Sequence, residues 1–414
     1  MIDPNIFSTA HPDARPAQRI TWDSRLVDEA TAFAALAGER MHGNAFISQA
    51  LDRGAPFILS NLDVERGVKV DDATTALRQW ARATRDRLGV PVVGVTGSVG
   101  KTTAKTFAAA GLGGVTTPGN LNTLNAIACF LLEHGESREP LVMEMGIDRV
   151  GEMRELVDLV APSVGVVTVI GESHLEAFGS RAVIAREKGV ILEAPGKLVG
   201  EAAAAEWYPG VPSYGFGQAA SFRGEALQVS PSGATFSFRG VDVQVPNGRR
   251  PEAEAALLGM ILAEMHQLDL SAAATRIGRA NVPGGRNRVL PGAFTIIDDA
   301  YNAAPTSMRA ALDALAVREG RRIAVLGDAL ELGPTAPKLH REVGEYARSK
   351  AHLTFGVGEF GALLAERSFD SREALIEALL AEVRAGDVVL VKASRGVGLD
   401  VVVEALKERQ RALA

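Results

Sequence analysis

The sequence predicts an α/β protein of three units, and three observations predict it. Its 414 residues, at roughly 100 to 200 per domain, make three units the central count. Short apolar runs alternate with helical stretches, the order expected of a parallel sheet with helices between its strands. The pattern changes at two junctions: an apolar strand runs into a Gly-rich turn at 90–100, and a stretch rich in Pro and Gly covers 282–292. The expected division is a small N-terminal α/β unit over 1–88, a central unit with a parallel sheet and a small antiparallel insertion over 89–291, and a Rossmann-like C-terminal unit over 292–414.

The elements follow in order. In the first unit a β-like run at 57–59 precedes an Ala-rich stretch at 74–88 whose apolar positions recur at helical spacing. The central unit opens with a strand at 90–95, the Gly-rich turn, and a helix over 101–110. Buried-type strands at 141–145 and 164–170 flank a helix around 152–160 that stops before Pro162. Residues 221–246 alternate in polarity, with Ser232 and Gly233 as the expected hairpin turn. In the third unit, strands at 294–297, 323–326, 353–357 and 388–391 alternate with helices beginning near Thr306, Lys338, Arg372 and Gly398. Asp370 and Glu373 read as a capping box before the third of these helices.

Composition excludes whole classes. With 47% hydrophobic and 23% charged residues, the chain is neither disordered, collagenous nor a coiled coil. A formal net charge of −6 gives no overall positive field for nucleic acid, so an anionic ligand must be held locally. Cys129 is the lone cysteine, which permits no intrachain disulfide, and the first thirty residues hold no apolar core of signal-peptide length, so the cytoplasm is the expected location. No apolar stretch approaches the roughly 20 residues of a membrane span, and a protein not embedded in a membrane is expected.

The strongest chemical signal is Gly94-Val-Thr-Gly-Ser-Val-Gly-Lys-Thr-Thr103, after a strand and before a helix. Backbone N–H groups in such a turn cup phosphate oxygens, Lys101 can reach the β and γ phosphates, and Thr102 can offer its hydroxyl to Mg²⁺. Gly97, Ser98, Gly100, Lys101, Thr102 and Thr103 are the candidate nucleotide contacts. The strict pattern would put its first glycine at position 95, which is Val95. A metal shared by phosphates and one hydroxyl calls for a carboxylate at the end of a neighbouring strand, and Glu144 in Leu141-Val-Met-Glu-Met-Gly146 supplies one. The next strand runs into Gly171-Glu-Ser-His-Leu-Glu-Ala-Phe-Gly-Ser180, with His174 at the edge where open α/β sheets bind ligands. By itself a histidine there is more often a packed or surface residue, and Lys188 in Ala185-Arg-Glu-Lys-Gly189 reads by itself as a solvated lysine.

Taken as an ordered set, these runs, with Pro118-Gly-Asn-Leu-Asn-Thr123, Asp298-Asp-Ala-Tyr-Asn-Ala-Ala-Pro-Thr-Ser-Met308 and Val325-Leu-Gly-Asp-Ala-Leu-Glu-Leu-Gly333 followed by His340, resemble the Mur ligases. Within that family they look like the branch that adds D-alanyl-D-alanine to a UDP-N-acetylmuramoyl-tripeptide. The sister branch is expected to carry Asp-Asn-Pro-Arg in its last unit, where this chain has Gly-Asp-Ala-Leu-Glu-Leu-Gly.

The resemblance implies an ATP-dependent ligase that forms an amide through an acyl phosphate in peptidoglycan precursor synthesis, with ATP and Mg²⁺ as cofactors. It implies Thr102 and Glu144 on one Mg²⁺ and His174 on a second, supported by a carbamylated Lys188, which should then be buried. Lys101, His174, Lys188 and Arg286 become the candidate catalytic residues, with Arg288 an equally placed alternative to Arg286. Asp298, Tyr301 and Asn302 are implied nucleotide contacts. Asn120, Asn122, Asp328 and His340 are implied substrate contacts, and so are Ser24 and Arg25 of Asp23-Ser-Arg25 in a UDP-substrate-binding first unit. The expected partners are the UDP-sugar peptide and D-alanyl-D-alanine, with no nucleic acid, and a monomer is expected. Where the family pattern has His and Asn near the nucleotide base, this chain has Arg250 and Glu254. Two alternatives stay open at this point: another Mur-like amide ligase, such as one extending folate or poly-glutamate chains, and a P-loop switch that hydrolyses nucleotide without an amine acceptor.

Overall fold

A computed structural model describes residues 1–38, 41–230, 232–282 and 288–413. Among these residues there are two parallel sheets, one sheet parallel but for its first strand, and one small antiparallel sheet. The first sheet holds four parallel strands in chain order, Arg19–Thr21, Thr31–Ala34, Ile58–Ser60 and Gly67–Lys69. Only the third of these leaves a readable β run in the sequence, because strands of three or four residues are too short to show a period. The helix Ala73–Arg87 begins where the Asp72 carboxylate accepts the Thr75 N–H at 2.6 Å. Its apolar face carries Leu77 and Trp80 into a core that continues without a break to Phe130, Leu131 and Met143 of the central unit. The first two units therefore share one hydrophobic core.

The central sheet has seven parallel strands, in the order Phe222–Arg223, Ser213–Gly215, Gly196–Gly200, Val164–Val167, Val92–Thr96, Leu141–Glu144 and Val115–Thr116. Val92–Thr96 thus lies between Leu141–Glu144 and Val164–Val167, with Val95 level with both Glu144 and Val166. Because the three strands run the same way, the turn after Thr96, the carboxylate of Glu144 and the segment after Val167 emerge side by side at one sheet edge.

The expected antiparallel insertion is present as Glu225–Ser230, Gly233–Phe238 and Val241–Pro246, and its first connection contains Ser232. The start of the expected stretch is corrected, since Phe222–Arg223 pairs in the parallel sheet. Sequence reading missed the helix Arg250–Met265, which is buried on most sides and so carries little amphipathic signal. It packs against Lys101–Leu112 closely enough that a Cβ at Gly259 would meet the Phe107 carbonyl oxygen at 2.4 Å.

The third sheet is ordered Arg288–Leu290, Thr295–Asp298, Val388–Lys392, Arg322–Gly327, Leu353–Val357 and Arg367–Phe369, parallel except for its first strand. That first strand precedes residue 292, so the sheet starts inside the stretch read as a junction. The helices expected near Thr306, Lys338, Arg372 and Gly398 are Pro305–Ala316, Ala336–Lys350, Arg372–Glu382 and Asp400–Leu413. The capping box at Asp370 and Glu373 is corrected: Ser371 caps the helix, its hydroxyl accepting the Ala374 N–H at 3.1 Å. Cys129 is a buried free thiol, and among the described residues no helix is long and apolar enough to cross a membrane.

Candidate active site

The turn between Thr96 and Lys101 explains why the glycine pattern is shifted. Val95 is a buried strand residue, and the loop opens at Gly97, whose φ of 150° and whose distance of 2.0 Å from an added Cβ to Thr168 Oγ1 leave no room for a side chain. Gly100 follows in the left-handed region at φ 80° and caps the helix Lys101–Leu112. The loop is braced from the next strand: Ser98 N–H donates to the Val169 carbonyl at 2.7 Å, the Thr168 hydroxyl to the Val99 carbonyl at 2.6 Å, and the Ser173 hydroxyl to the Ser98 carbonyl at 3.0 Å. Lys101 Nζ lies over the loop, donating to the Gly97 carbonyl at 2.9 Å.

Glu144 is 2% exposed and sits at the foot of this loop. Its Oε2 accepts the Thr102 hydroxyl at 2.6 Å and lies 3.2 Å from Lys105 Nζ, while its Oε1 accepts Asn122 Nδ2 at 3.1 Å. Burial pushes this carboxyl upward, but the charges of Lys101 and Lys105, with the Thr102 and Asn122 hydrogen bonds, outweigh burial and hold it below its ordinary value. It is therefore an anion in the native protein.

A cleft of about 370 Å³ opens above these groups. Of the candidate contacts, Ser98, Gly100, Lys101, Thr102, Thr103, Asn120, Asn122, Glu144 and His174 line it from the central unit, and Tyr301 and Asn302 from the third. His174 has a left-handed backbone, φ 59°, and its ring lies between two carboxylates, Glu331 at 2.5 Å from Nδ1 and Asp148 at 3.4 Å from Nε2. Glu331 belongs to the third unit, and its carbonyl also accepts the Glu176 N–H at 3.0 Å. A second bridge joins the Thr306 hydroxyl to Glu172 Oε2 at 2.6 Å.

Other candidates lie off the cleft wall. Lys188 is buried at 1% exposure, as expected; burial, joined by the nearby charge of Lys101 and opposed by Asp148 and Glu152, pushes its ammonium well below its ordinary value. Asp298 is level with Arg288 in the strand pairing, and burial raises its carboxyl. Neither Asp328 nor His340 is on the cleft wall: Asp328 accepts the Glu359 and Phe360 N–H groups at 2.8 and 3.0 Å, and His340 Nε2 accepts the Ala329 N–H at 2.9 Å. Both are committed to shaping the loops of their own unit. Ser24 and Arg25 also lie outside the cleft, engaged with Gln49 at 2.7 Å and Asp23 at 2.7 Å. Arg286 lies outside the described residues.

The cleft contains groups that sequence reading missed, Asp148, Glu152, Ser173, Arg249, Glu252 and Asp299, and also Lys392, whose Lys-Ala-Ser-Arg-Gly run reads from sequence as evenly a Gly-rich turn or a functional element. Lys392 is 2% exposed and donates to Asp299 Oδ2 and to the Asn302 carbonyl, both at 2.9 Å. Arg250 and Glu254, named as the departure near the base, pair with each other at 3.0 Å and do not line the cleft. Their neighbours do: Arg249 reaches Glu252 Oε1 at 3.0 Å, and its Nη1 is buried without a hydrogen bond. A charged Lys-Ala-Ser-Arg run was the one available pointer to Lys392.

Among the described residues no three His, Cys, Asp or Glu side chains form a closed metal cage. One buried carboxylate beside one hydroxyl, under a phosphate-binding loop, is instead the sparse oxygen set that suits Mg²⁺, which keeps water and phosphate oxygens as its remaining ligands.

Two family models match the chain, the Mur ligase middle domain over 95–264 and the Mur ligase glutamate ligase domain over 285–395. A UDP-N-acetylmuramoyl-tripeptide–D-alanyl-D-alanine ligase of Bacillus subtilis is 32% identical, with 94% of this chain and 93% of that protein covered. Among solved structures, MurF from Acinetobacter baumannii superposes with a TM-score of 0.86 at 27% identity, covering 94% of this chain and 93% of that one. MurF from Thermotoga maritima in complex with ADP gives 0.84 at 25% identity, covering 96% and 98%.

Proposed function

The chain belongs to the Mur ligase family, and from that premise we propose that it joins D-alanyl-D-alanine to UDP-N-acetylmuramoyl-tripeptide at the expense of ATP, in peptidoglycan precursor synthesis. The observation that carries the reading is the contact of Thr102 with Glu144 at 2.6 Å under the loop that bears Lys101, with Asn122 on the other carboxylate oxygen. A carboxylate does not condense with an amine at neutral pH, because the amine takes a proton and the oxygen is a poor leaving group. Transfer of the γ-phosphoryl group makes that oxygen a good leaving group, and the dipeptide amine then displaces phosphate.

The chain's own residues supply the positioning. The loop N–H groups and Lys101 hold the phosphates, and Lys101 stays beside the charge that develops on the transferred group. Thr102 and Glu144 would hold Mg²⁺, with His174 toward a second ion; bound there, Mg²⁺ would neutralise phosphate charge. Asn120 and Asn122, both on the cleft wall, would contact the acyl group. Tyr301, Asn302, Asp299 and Lys392 close the nucleotide side from the third unit, which keeps water from an acyl phosphate.

ADP formation should require both the UDP-sugar tripeptide and D-alanyl-D-alanine. Equal turnover with glutamate as acceptor, or turnover with no acceptor, would reject the reading in favour of another amide ligase or a nucleotide switch. Buried Lys188 is the expected carbamylation site, since burial favours the neutral amine, whose lone pair attacks the carbon of carbon dioxide and releases a proton. Enzyme prepared in buffer freed of carbon dioxide should regain activity on adding bicarbonate, and Lys188→Arg should not respond. A wild-type enzyme indifferent to bicarbonate, with no carbamate signal in a carbon-13 NMR spectrum, removes that role.

A further inference from the structure

Lys105 lies one helical turn beyond Lys101 and is 1% exposed, with its ammonium directed at the Thr117–Gly119 turn and Glu144. Nζ donates to the Thr117 carbonyl at 2.7 Å, to the Gly119 carbonyl at 2.8 Å and to the Thr117 hydroxyl at 3.3 Å, and it stands 3.2 Å from Glu144 Oε2. The turn it gathers in leads directly to Asn120 and Asn122, both on the cleft wall. Asn122 returns to Glu144 through Oε1, and its carbonyl accepts the Gly146 N–H at 3.2 Å. A closed ring results: Lys105, Glu144, Asn122, the 117–122 turn, and Lys105 again.

We infer that Lys105 is a positioning residue, whose single buried charge sets both Glu144 on the phosphate side and the Asn120–Asn122 turn on the side of the substrate carboxylate that receives the phosphoryl group. The assignment rests on the ligase reading above. A full charge buried to this degree needs a counter-charge and saturated hydrogen bonding, and here the counter-charge is the carboxylate assigned to the metal and the acceptors are the carbonyls of the substrate-side turn. A shift of Glu144 disturbs the ammonium, and opening the turn takes from it the Thr117 and Gly119 carbonyls. The phosphoryl donor and the carboxylate that receives it are thereby held in one fixed relation, without Lys105 touching either.

The test uses Lys105→Met, which fills a similar volume without charge, and Lys105→Gln, which keeps a donor for the carbonyls. Titration calorimetry on the full chain would measure binding of the UDP-sugar tripeptide, and separately of a non-hydrolysable ATP analogue in chelator, where the loop and Lys101 act alone. Lys105→Met is expected to weaken tripeptide binding and to lower kcat by roughly 10²-fold, the cost of misplacing a reacting group by about 1 Å, with analogue binding unchanged. Lys105→Gln should recover part of the loss. Equal loss on both ligands, unchanged tripeptide binding with unchanged kcat, or failure of both variants to fold would each overturn the assignment in favour of a purely structural lysine. Wild-type enzyme that does not bind the tripeptide would instead reject the ligase reading itself, so the two failures are distinguishable.

Discussion

Lys101→Ala is expected to abolish acceptor-dependent ADP formation while leaving the fold intact. The lysine stands at the mouth of the helix Lys101–Leu112 with Nζ over the loop, 2.9 Å from the Gly97 carbonyl. Loop N–H groups and the helix dipole remain after the substitution, but the dipole contributes only about 0.3–1 kcal/mol toward an anion. A triphosphate and the charge migrating onto the transferred phosphoryl group need a full positive charge, and transition-state partners of this kind are worth on the order of 10²–10³ in turnover each. Lys101 is half-buried at the cleft wall, outside the core, so its loss creates no large internal cavity. Single-turnover ADP formation with both substrates saturating, alongside a thermal melt, separates chemistry from stability. Turnover near the wild-type level would show that the phosphates lie elsewhere.

Glu144→Gln should cost on the order of 10² or more in turnover and should raise the Mg²⁺ concentration needed for half-maximal activity. The amide keeps the shape and can still accept the Thr102 hydroxyl, so what it removes is charge. Both variants take the counter-charge from buried Lys105, and removing one partner of a buried pair destabilises a protein by roughly 3–5 kcal/mol; Glu144→Ala is the harsher because it also removes the acceptors of Thr102 and Asn122. The two substitutions together distinguish a metal-binding anion from a structural one. Loss of activity in Glu144→Ala alone, with Glu144→Gln near wild type, would mark Glu144 as scaffold. The carboxyl is held below its ordinary value by Lys101 and Lys105 against the upward push of burial, so the anion, and the stability it contributes, persists at neutral pH and is lost as pH falls through that lowered value.

These two residues were legible because each belongs to a contiguous pattern with a mechanism: Lys101 to a strand, glycine turn and helix, Glu144 to a carboxylate ending an apolar run. His174 came only with the family resemblance, since a histidine after a strand reads by itself as a packed or surface residue. Lys105, Asp148, Arg249 and Asp299 were not legible, because a charged residue on a helix or at a strand end reads as solvated unless its surroundings are known. Lys105 illustrates the difficulty. Its sequence neighbours are those of an ordinary helix, and its partners, Thr117, Gly119 and Glu144, come from a turn and a strand further along the chain. Asp328 and His340, polar residues in a suggestive motif, hold the backbone N–H groups of Ala329, Glu359 and Phe360, partners that no local pattern announces.

The sequence by itself determined the α/β class, the phosphate loop, the carboxylate beside it and the resemblance to a ligase family, since all of these are written in short-range patterns of glycine, charge and hydrophobic period. The tertiary structure alone decided which strands are neighbours, and hence that Thr96, Glu144 and Val167 end at one edge; it decided too that the first two units share a core and that the third unit supplies Asp299, Tyr301 and Lys392 to the same cleft. Strand order and side-chain burial depend on contacts between residues far apart in the chain, and the free energy of a buried charge is set by partners that no local window contains.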